Sequence, residues 1–177
     1  EKLKVGNEAL SITRRTIPEN LKSLEEMYAH IGEKHPGDDC FVFSRKSLEQ
    51  LRVKPVFVGA GWFDKVLLLN CAAFCYPFEK ITKEQLTFHL GNDQSWFNEK
   101  TRTIAYYNKD NVIELISEIE AEQGVCYKNS RVWPYVSSIY ERLGFKKVEN
   151  KPQFTWFRSL TKLKTYAKIK IKKIISF

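Results

Sequence analysis

The sequence lacks any apolar run of the roughly 18 residues that a membrane-spanning helix needs. Its longest candidate, Val66 to Phe78, is interrupted by Asn70 and ends at Pro77, so a buried strand is expected there. No apolar segment follows Glu1-Lys2-Leu3-Lys4, and no secretion signal is expected. A zinc-ligand set is missing as well. Cys71 and Cys75 form a Cys-x3-Cys pair with no second pair and no histidine nearby, and Cys40 and Cys126 stand apart. Free thiols are therefore expected, with Cys71 and Cys75 buried, which fits a reducing, cytoplasmic compartment. No Ser/His/Asp order, metal-ligand cluster, P-loop or internal repeat stands out. Acidic residues are absent from 158–177, where Arg158, Lys162, Lys164, Lys168, Lys170, Lys172 and Lys173 occur.

What remains is a globular composition. The 177 residues are 43% hydrophobic and 14% aromatic, enough for one domain with a core and marginal for two. The formal net charge is +8 from 29 basic and 21 acidic residues. Setting aside the 7 basic residues of 158–177 leaves 22 basic against 21 acidic in the first 157. The basic character thus belongs to a tail.

Along the chain, Leu10-Ser11-Ile12-Thr13-Arg14 alternates like a strand. Thr16 and Glu19 have capping-box spacing, and Pro18 suits a first helical turn. Leu21, Leu24, Met27, Tyr28 and Ile31 then make one apolar helical face, ended by Gly32 and by the turn-type cluster His35-Pro36-Gly37-Asp38-Asp39. A short helix is expected over Ser44–Leu51. Val56–Ala60 and Lys65–Phe74 read as strands of a hairpin turning at Gly61-Trp62-Phe63-Asp64. Glu79–Leu90 suits a helix running into a strand, Gly91–Ser95 a loop, and Arg102–Tyr107 a strand. Asn111 with Glu114 has capping-box spacing, and Val112, Leu115, Ile116 and Ile119 form the apolar face of a helix ending at Gly124. Val125–Lys128 is the next expected strand. A helix with Pro134 near its start then carries Ile139, Tyr140 and Leu143 to a stop at Gly144. Lys146–Val148 and Gln153–Arg158 are expected to pair as strands around Asn150-Lys151-Pro152.

Two stretches in this order resemble the GNAT superfamily of N-acetyltransferases. Ile12-Thr13-Arg14-Arg15-Thr16-Ile17-Pro18-Glu19-Asn20-Leu21 looks like its first strand and helix entry. Ile139-Tyr140-Glu141-Arg142-Leu143-Gly144-Phe145 looks like its terminal Tyr-x-x-Leu-Gly-Phe signature. The likeness covers about residues 8–158 and leaves 159–177 as a basic C-terminal tail. It implies an α/β fold: a GNAT-like mixed, mostly antiparallel central sheet with helices on both faces. The implied activity moves an acetyl group from acetyl-CoA to a primary amine by direct attack, with Tyr140 protonating the leaving thiolate. Read without the resemblance, Tyr140 is a core aromatic. Such proteins hold the cofactor pyrophosphate at a helix N-terminus behind a glycine-rich loop. The matching segment here is Tyr107-Asn108-Lys109-Asp110-Asn111, which has no glycine, and Trp133 falls where an asparagine often faces the cofactor. Glu84, His89 and Asp93 are the nearby candidates for a general base. His30 and His35 read as solvated.

The glycine-free segment motivates an alternative: a catalytically degenerate, GNAT-like binding or regulatory module. Leu160, Leu163, Ala167, Ile171 and Ile174 give the tail one apolar helical face opposite its lysines. The alternation Lys168-Ile169-Lys170-Ile171-Lys172 suits a lysine-guarded edge strand equally. Such a segment suits RNA or an acidic surface, and it suits as well a packed terminal helix with its lysine face in water.

Overall fold

A computed structural model describes residues 8–84, 86–91 and 98–145. The expected strand pair 146–148 and 153–158, the tail 159–177 and Asp93 lie outside them. The chain divides into two compact units, residues 1–136 and 137–177.

The first unit is a mixed α/β structure built on strand β1 (Ala9–Ile17). Strand β2 (Glu33–Phe43) pairs antiparallel with one edge of β1, from Ala9 opposite Phe43 to Thr16 opposite Glu33. Strands β3 (Phe78–Ile81) and β4 (Phe88–Leu90) lie end to end along the other edge. Both are parallel to β1, β3 beside Ala9–Ile12 and β4 beside Arg15–Ile17. The sheet is mixed, as expected: its longest ladder is antiparallel and its two short ones parallel. Antiparallel β2 brings the chain back to the Ala9 end of β1, and helix α3 (Phe63–Phe74) lies in the connection from there to β3, which also starts beside Ala9.

Burial on both faces explains why β1 sits in the middle. Ala9 packs with Cys71 and Cys75 beneath Phe41, Phe43, Leu51 and Phe78 on one side. Leu10, Ile12 and Ile81 pack with Cys40 and Val42 on the other. Cys71 and Cys75 are free and fully buried. Burial, with Cys75 beside it, pushes the Cys71 thiol far up, and burial also raises Cys75. Neither thiol is a ready nucleophile.

Several expectations are corrected. Helix α1 covers only Leu24–Ala29, because β4 extends β1 to Ile17 and the capping box forms at Ser23 and Glu26 rather than Thr16 and Glu19. Its expected core face is largely in water: Leu24, Tyr28 and Ile31 are 66%, 56% and 77% exposed. The turn-type cluster at 35–39 lies inside β2, where the pairing register shifts. The expected hairpin is absent. Trp62 does turn, with φ 74°, but it opens helix α3. That helix buries Val66, Leu68, Leu69, Cys71 and Ala72, so nearly its whole circumference is apolar and its period is hidden. The predicted helix into Glu79–Leu90 gives way to β3, a turn and β4. Of the short helix expected over Ser44–Leu51, the first part forms as α2 (Arg45–Leu48), which Ser44 caps, and it ends three residues early.

The second half changes most. Helix α4 runs unbroken over Glu99–Gln123. It absorbs the expected strand at 102–107 and starts 12 residues before Asn111, because Asn98 and Thr101 form the capping box. The expected strand at 125–128 is a 3-10 turn over Gly124–Asn129. Helix α5 (Trp133–Arg142) follows, as expected. α3 packs on α4, and Val66 and Leu69 on the one and Val112, Leu115, Ile116 and Ile119 on the other are all but sealed from solvent.

Candidate functional site

The densest chemistry in the first unit surrounds Asp38, whose side chain is fully buried. Thr13 stands opposite it on β1, beside a register shift that turns the carboxylate inward. Oδ1 accepts from the hydroxyls of Ser11 at 3.1 Å and Thr13 at 3.4 Å. The Lys80 ammonium, on β3, lies 2.7 Å from Oδ1 and 2.9 Å from Oδ2. The Lys65 ammonium, on α3, donates to Oδ2 at 3.2 Å and lies 2.7 Å from Asp64 Oδ2. Asp64 Oδ2 also accepts from the Asp38 backbone N–H at 3.2 Å. One carboxylate thus joins three strands and a helix.

Burial by itself drives the Asp38 carboxyl toward its neutral form. The Lys80 hydrogen bond and the charges of Lys65 and Lys80 outweigh it and hold the pKa below the ordinary 3.8. Tyr135 on α5, half-buried and edge-on to Phe78 at 5.8 Å, is pushed up by burial and then by the Asp38 charge. Two carboxylates face two ammonium groups, so the cluster is electrically balanced. The two oxygens of Asp38 take five contacts from hydroxyls and ammonium groups, which hold it charged and make it a weak base. Its chemistry is that of a lock: charges buried only because each has its partner. The expectation of a turn at 35–39 hid this residue. The available signal was Lys65 and Lys80 within apolar stretches, where a buried ammonium demands a carboxylate.

The residues expected to hold the cofactor lie elsewhere, in the interior of α4. Their backbone N–H groups serve the helix ladder, so 107–111 is not the helix start on which a pyrophosphate cradle depends. Asn108, fully buried, accepts from the Phe57 N–H at 2.9 Å and donates to the carbonyls of Phe57 at 2.9 Å and Gly61 at 3.1 Å. Asn111 donates to the Tyr107 carbonyl at 3.0 Å, one turn back, instead of capping a helix. Tyr107 meets the Phe57 ring edge-on at 5.5 Å. Lys109 sits 5.0 Å from the Tyr106 ring centroid. Asp110 occupies the next position on the same helix.

These contacts belong to a strap, residues 52–61, laid antiparallel along α4. At one end Arg52 pairs with Glu122 at 2.6 Å, and Asn70 on α3 accepts from the Arg52 N–H at 2.6 Å and donates to its carbonyl at 3.2 Å. Lys54 then pairs with Glu118 and, at 3.6 Å, with Glu114. Asn108 holds the other end. Two buried asparagines therefore give the strap the backbone partners that a neighbouring strand would give.

Tyr140 lies in the second unit, 5% exposed, with its ring edge-on to Phe145 at 5.8 Å. Gly144 takes φ 84°, and the Phe145 N–H donates to the Tyr140 carbonyl at 3.0 Å. The glycine-terminated helix end thus forms as its sequence implies. Among the base candidates, Glu84 is exposed, and His89 is half-buried with Nδ1 3.2 Å from the Leu90 carbonyl. His30 is exposed, and its Nδ1 accepts from the Gly32 N–H at 3.0 Å. His35 is half-buried, not solvated, with Nε2 3.1 Å from Arg14 Nη2. Among the described residues, no group of three His, Cys, Asp or Glu is placed to hold a metal ion, and no helix is long and apolar enough to cross a membrane. Compared with models of protein families, with curated proteins and with solved structures, the chain matches none.

Proposed function

We propose that this chain is a binding or regulatory module that grips RNA through the basic segment 159–177, and that it does not act by acetyl transfer. The course of α4 carries the choice between the two readings. The segment that would cradle acetyl-CoA is the middle of a continuous helix, and Asn108 and Asn111 are committed to backbone groups of the fold. The partner class follows from charge. Residues 159–177 hold six lysines and no acid, whereas the first 157 residues are nearly neutral. Such a run displaces counterions from a phosphate backbone, so its binding weakens steeply with salt.

Anisotropy of a labelled RNA, titrated with the full chain and with a chain ending at residue 158, tests this. The full chain should bind with a logarithmic salt slope that the truncation lowers by as much as about 4, at about 0.7 per phosphate neutralised by the six lost lysines. Equal affinity and equal slope for both chains would rule the tail out as the grip.

A second reading, acetyl transfer on a GNAT-like fold, is favoured by the folded Tyr-x-x-Leu-Gly-Phe turn around Tyr140 and Gly144. On that reading the acceptor amine attacks the thioester carbonyl, the carbon–sulfur bond breaks, the Tyr140 hydroxyl gives its proton to the thiolate, and the proton shed by the nitrogen passes through water to restore the phenol. Calorimetric titration with acetyl-CoA separates the two. The binding-module reading expects no saturable heat. Saturable binding, with acetyl transfer that Tyr140→Phe abolishes, would replace it.

A further inference from the structure

Past its first residue, the acid Glu99, helix α4 carries its charges the wrong way round for its own dipole. Residues 100–109 include Lys100, Arg102 and Lys109 and no acid, while 110–123 include Asp110, Glu114, Glu118, Glu120 and Glu122 and no base. Acids are favoured near a helix N-terminus and cations near its C-terminus. The strap offsets the acidic half, since Arg52 and Lys54 pair with Glu122, Glu118 and Glu114. The half before Asp110 keeps a formal charge of +2, from Lys100, Arg102 and Lys109 against Glu99, and Tyr106 and Tyr107 stand in it, with Phe57 of the strap beside Tyr107. Phe57, Tyr106 and Tyr107 are 54%, 52% and 42% exposed. The rings of Phe57 and Tyr107 meet at 5.5 Å, and the Lys109 ammonium lies 5.0 Å from the centre of Tyr106. Arg102, exposed, is one turn from Tyr106. Asn108, between Tyr107 and Lys109, fixes Phe57 through both of that residue's backbone groups.

We infer that Phe57, Tyr106 and Tyr107 form a stacking surface for the bases of single-stranded RNA, with Arg102 and Lys109 facing its phosphates. Exposed rings beside cations suit unpaired bases, whose faces are open, and do not suit a duplex, whose bases are already stacked. Holding the rings in place beforehand lowers the ordering cost of binding. The inference rests on the RNA-binding reading for its partner class but uses residues outside the tail.

The test uses the full chain and a fluorescein-labelled oligouridylate of about 12 nucleotides, free or annealed to its complement. Tyr106→Leu, Tyr107→Leu and Phe57→Leu remove a ring and keep an apolar side chain at an exposed position, and thermal melts confirm folding. Each should weaken binding of the single strand by about 5- to 100-fold without changing the salt slope, and Tyr106→Trp should restore it. Lys109→Met should lower the slope by about 0.7. Ring variants within about twofold of the parent, or a duplex bound as tightly as the single strand, would overturn the inference. If truncation at 158 abolishes binding while the ring variants leave it unchanged, the tail is the grip and the stacking surface falls. If the ring variants lose binding and truncation does not, the surface stands and the tail falls. A full chain that does not bind the oligonucleotide removes both. Self-association that the ring variants abolish, with RNA binding unchanged, would assign this face to a second copy and also overturn the inference.

Discussion

Replacing Asp38 with alanine is expected to destabilise the fold by about 3–5 kcal/mol, the cost of removing one partner from a buried ion pair. The substitution takes Asp38 from Lys65, whose side chain is 9% exposed and which keeps Asp64 at 2.7 Å, and it takes from the Lys80 ammonium the carboxylate that it meets at 2.7 Å. The hydroxyls of Ser11 and Thr13 lose theirs as well. Asp38→Asn keeps the volume but turns a donor toward ammonium groups, so it should recover little. Urea unfolding of the parent and both variants measures the effect, and a loss below about 1 kcal/mol would contradict the lock.

Acid should reproduce part of the same loss. Asp38 has its folded pKa below the ordinary 3.8. Its contribution is therefore fully present above that unfolded value and is lost as pH falls through the folded one. The gap in stability between the parent and Asp38→Asn should be wide near about pH 7 and should narrow as pH falls below the ordinary 3.8.

Asn108→Leu is expected to cost about 1–3 kcal/mol for each backbone group that it leaves buried and that water does not reach. Up to three are at stake: the Phe57 N–H and the Phe57 and Gly61 carbonyls. Lys109→Met and Tyr107→Leu, one residue to either side and more exposed, should stay within about 0.5 kcal/mol of the parent. Hydrogen exchange should show the strap opening in Asn108→Leu while the interior amides of α4 remain protected. A residue kept for a cofactor would instead be dispensable to stability. Parent-like unfolding of Asn108→Leu would therefore undo the structural role assigned to it.

The contrast between Asn108 and its neighbours shows how far residue order can be read. The elements whose signals are local were legible: β1 from the alternation after Leu10, the α4 face from Val112 to Ile119, and the end of α5 from Gly144. The glycine stop depends only on backbone conformations within one turn, which the neighbouring residues set. Helix starts were harder. Thr16–Glu19, Ser23–Glu26, Asn98–Thr101 and Asn111–Glu114 all have the spacing for mutual capping, and only Ser23–Glu26 and Asn98–Thr101 form it. Non-local contacts choose among them: β4 claims residues 15–17 for the sheet, and the Tyr107 carbonyl engages Asn111.

The misreading of 63–74 has a different cause. A helix buried on almost every side has no polar stripe, so its residue pattern is the same as that of a buried strand. Tertiary packing against α4 and the sheet resolves it. Asp38 is the extreme case. Beside proline and glycine it has every local mark of a turn, and its partners are 27 residues away at Ser11 and Lys65 and 42 away at Lys80. Residue order alone settled the composition, the basic tail and the local stops. Which polar residues are buried, which asparagines hold the strap and which rings stay in water depended on packing, because burial is a property of distant neighbours and not of the residues beside them.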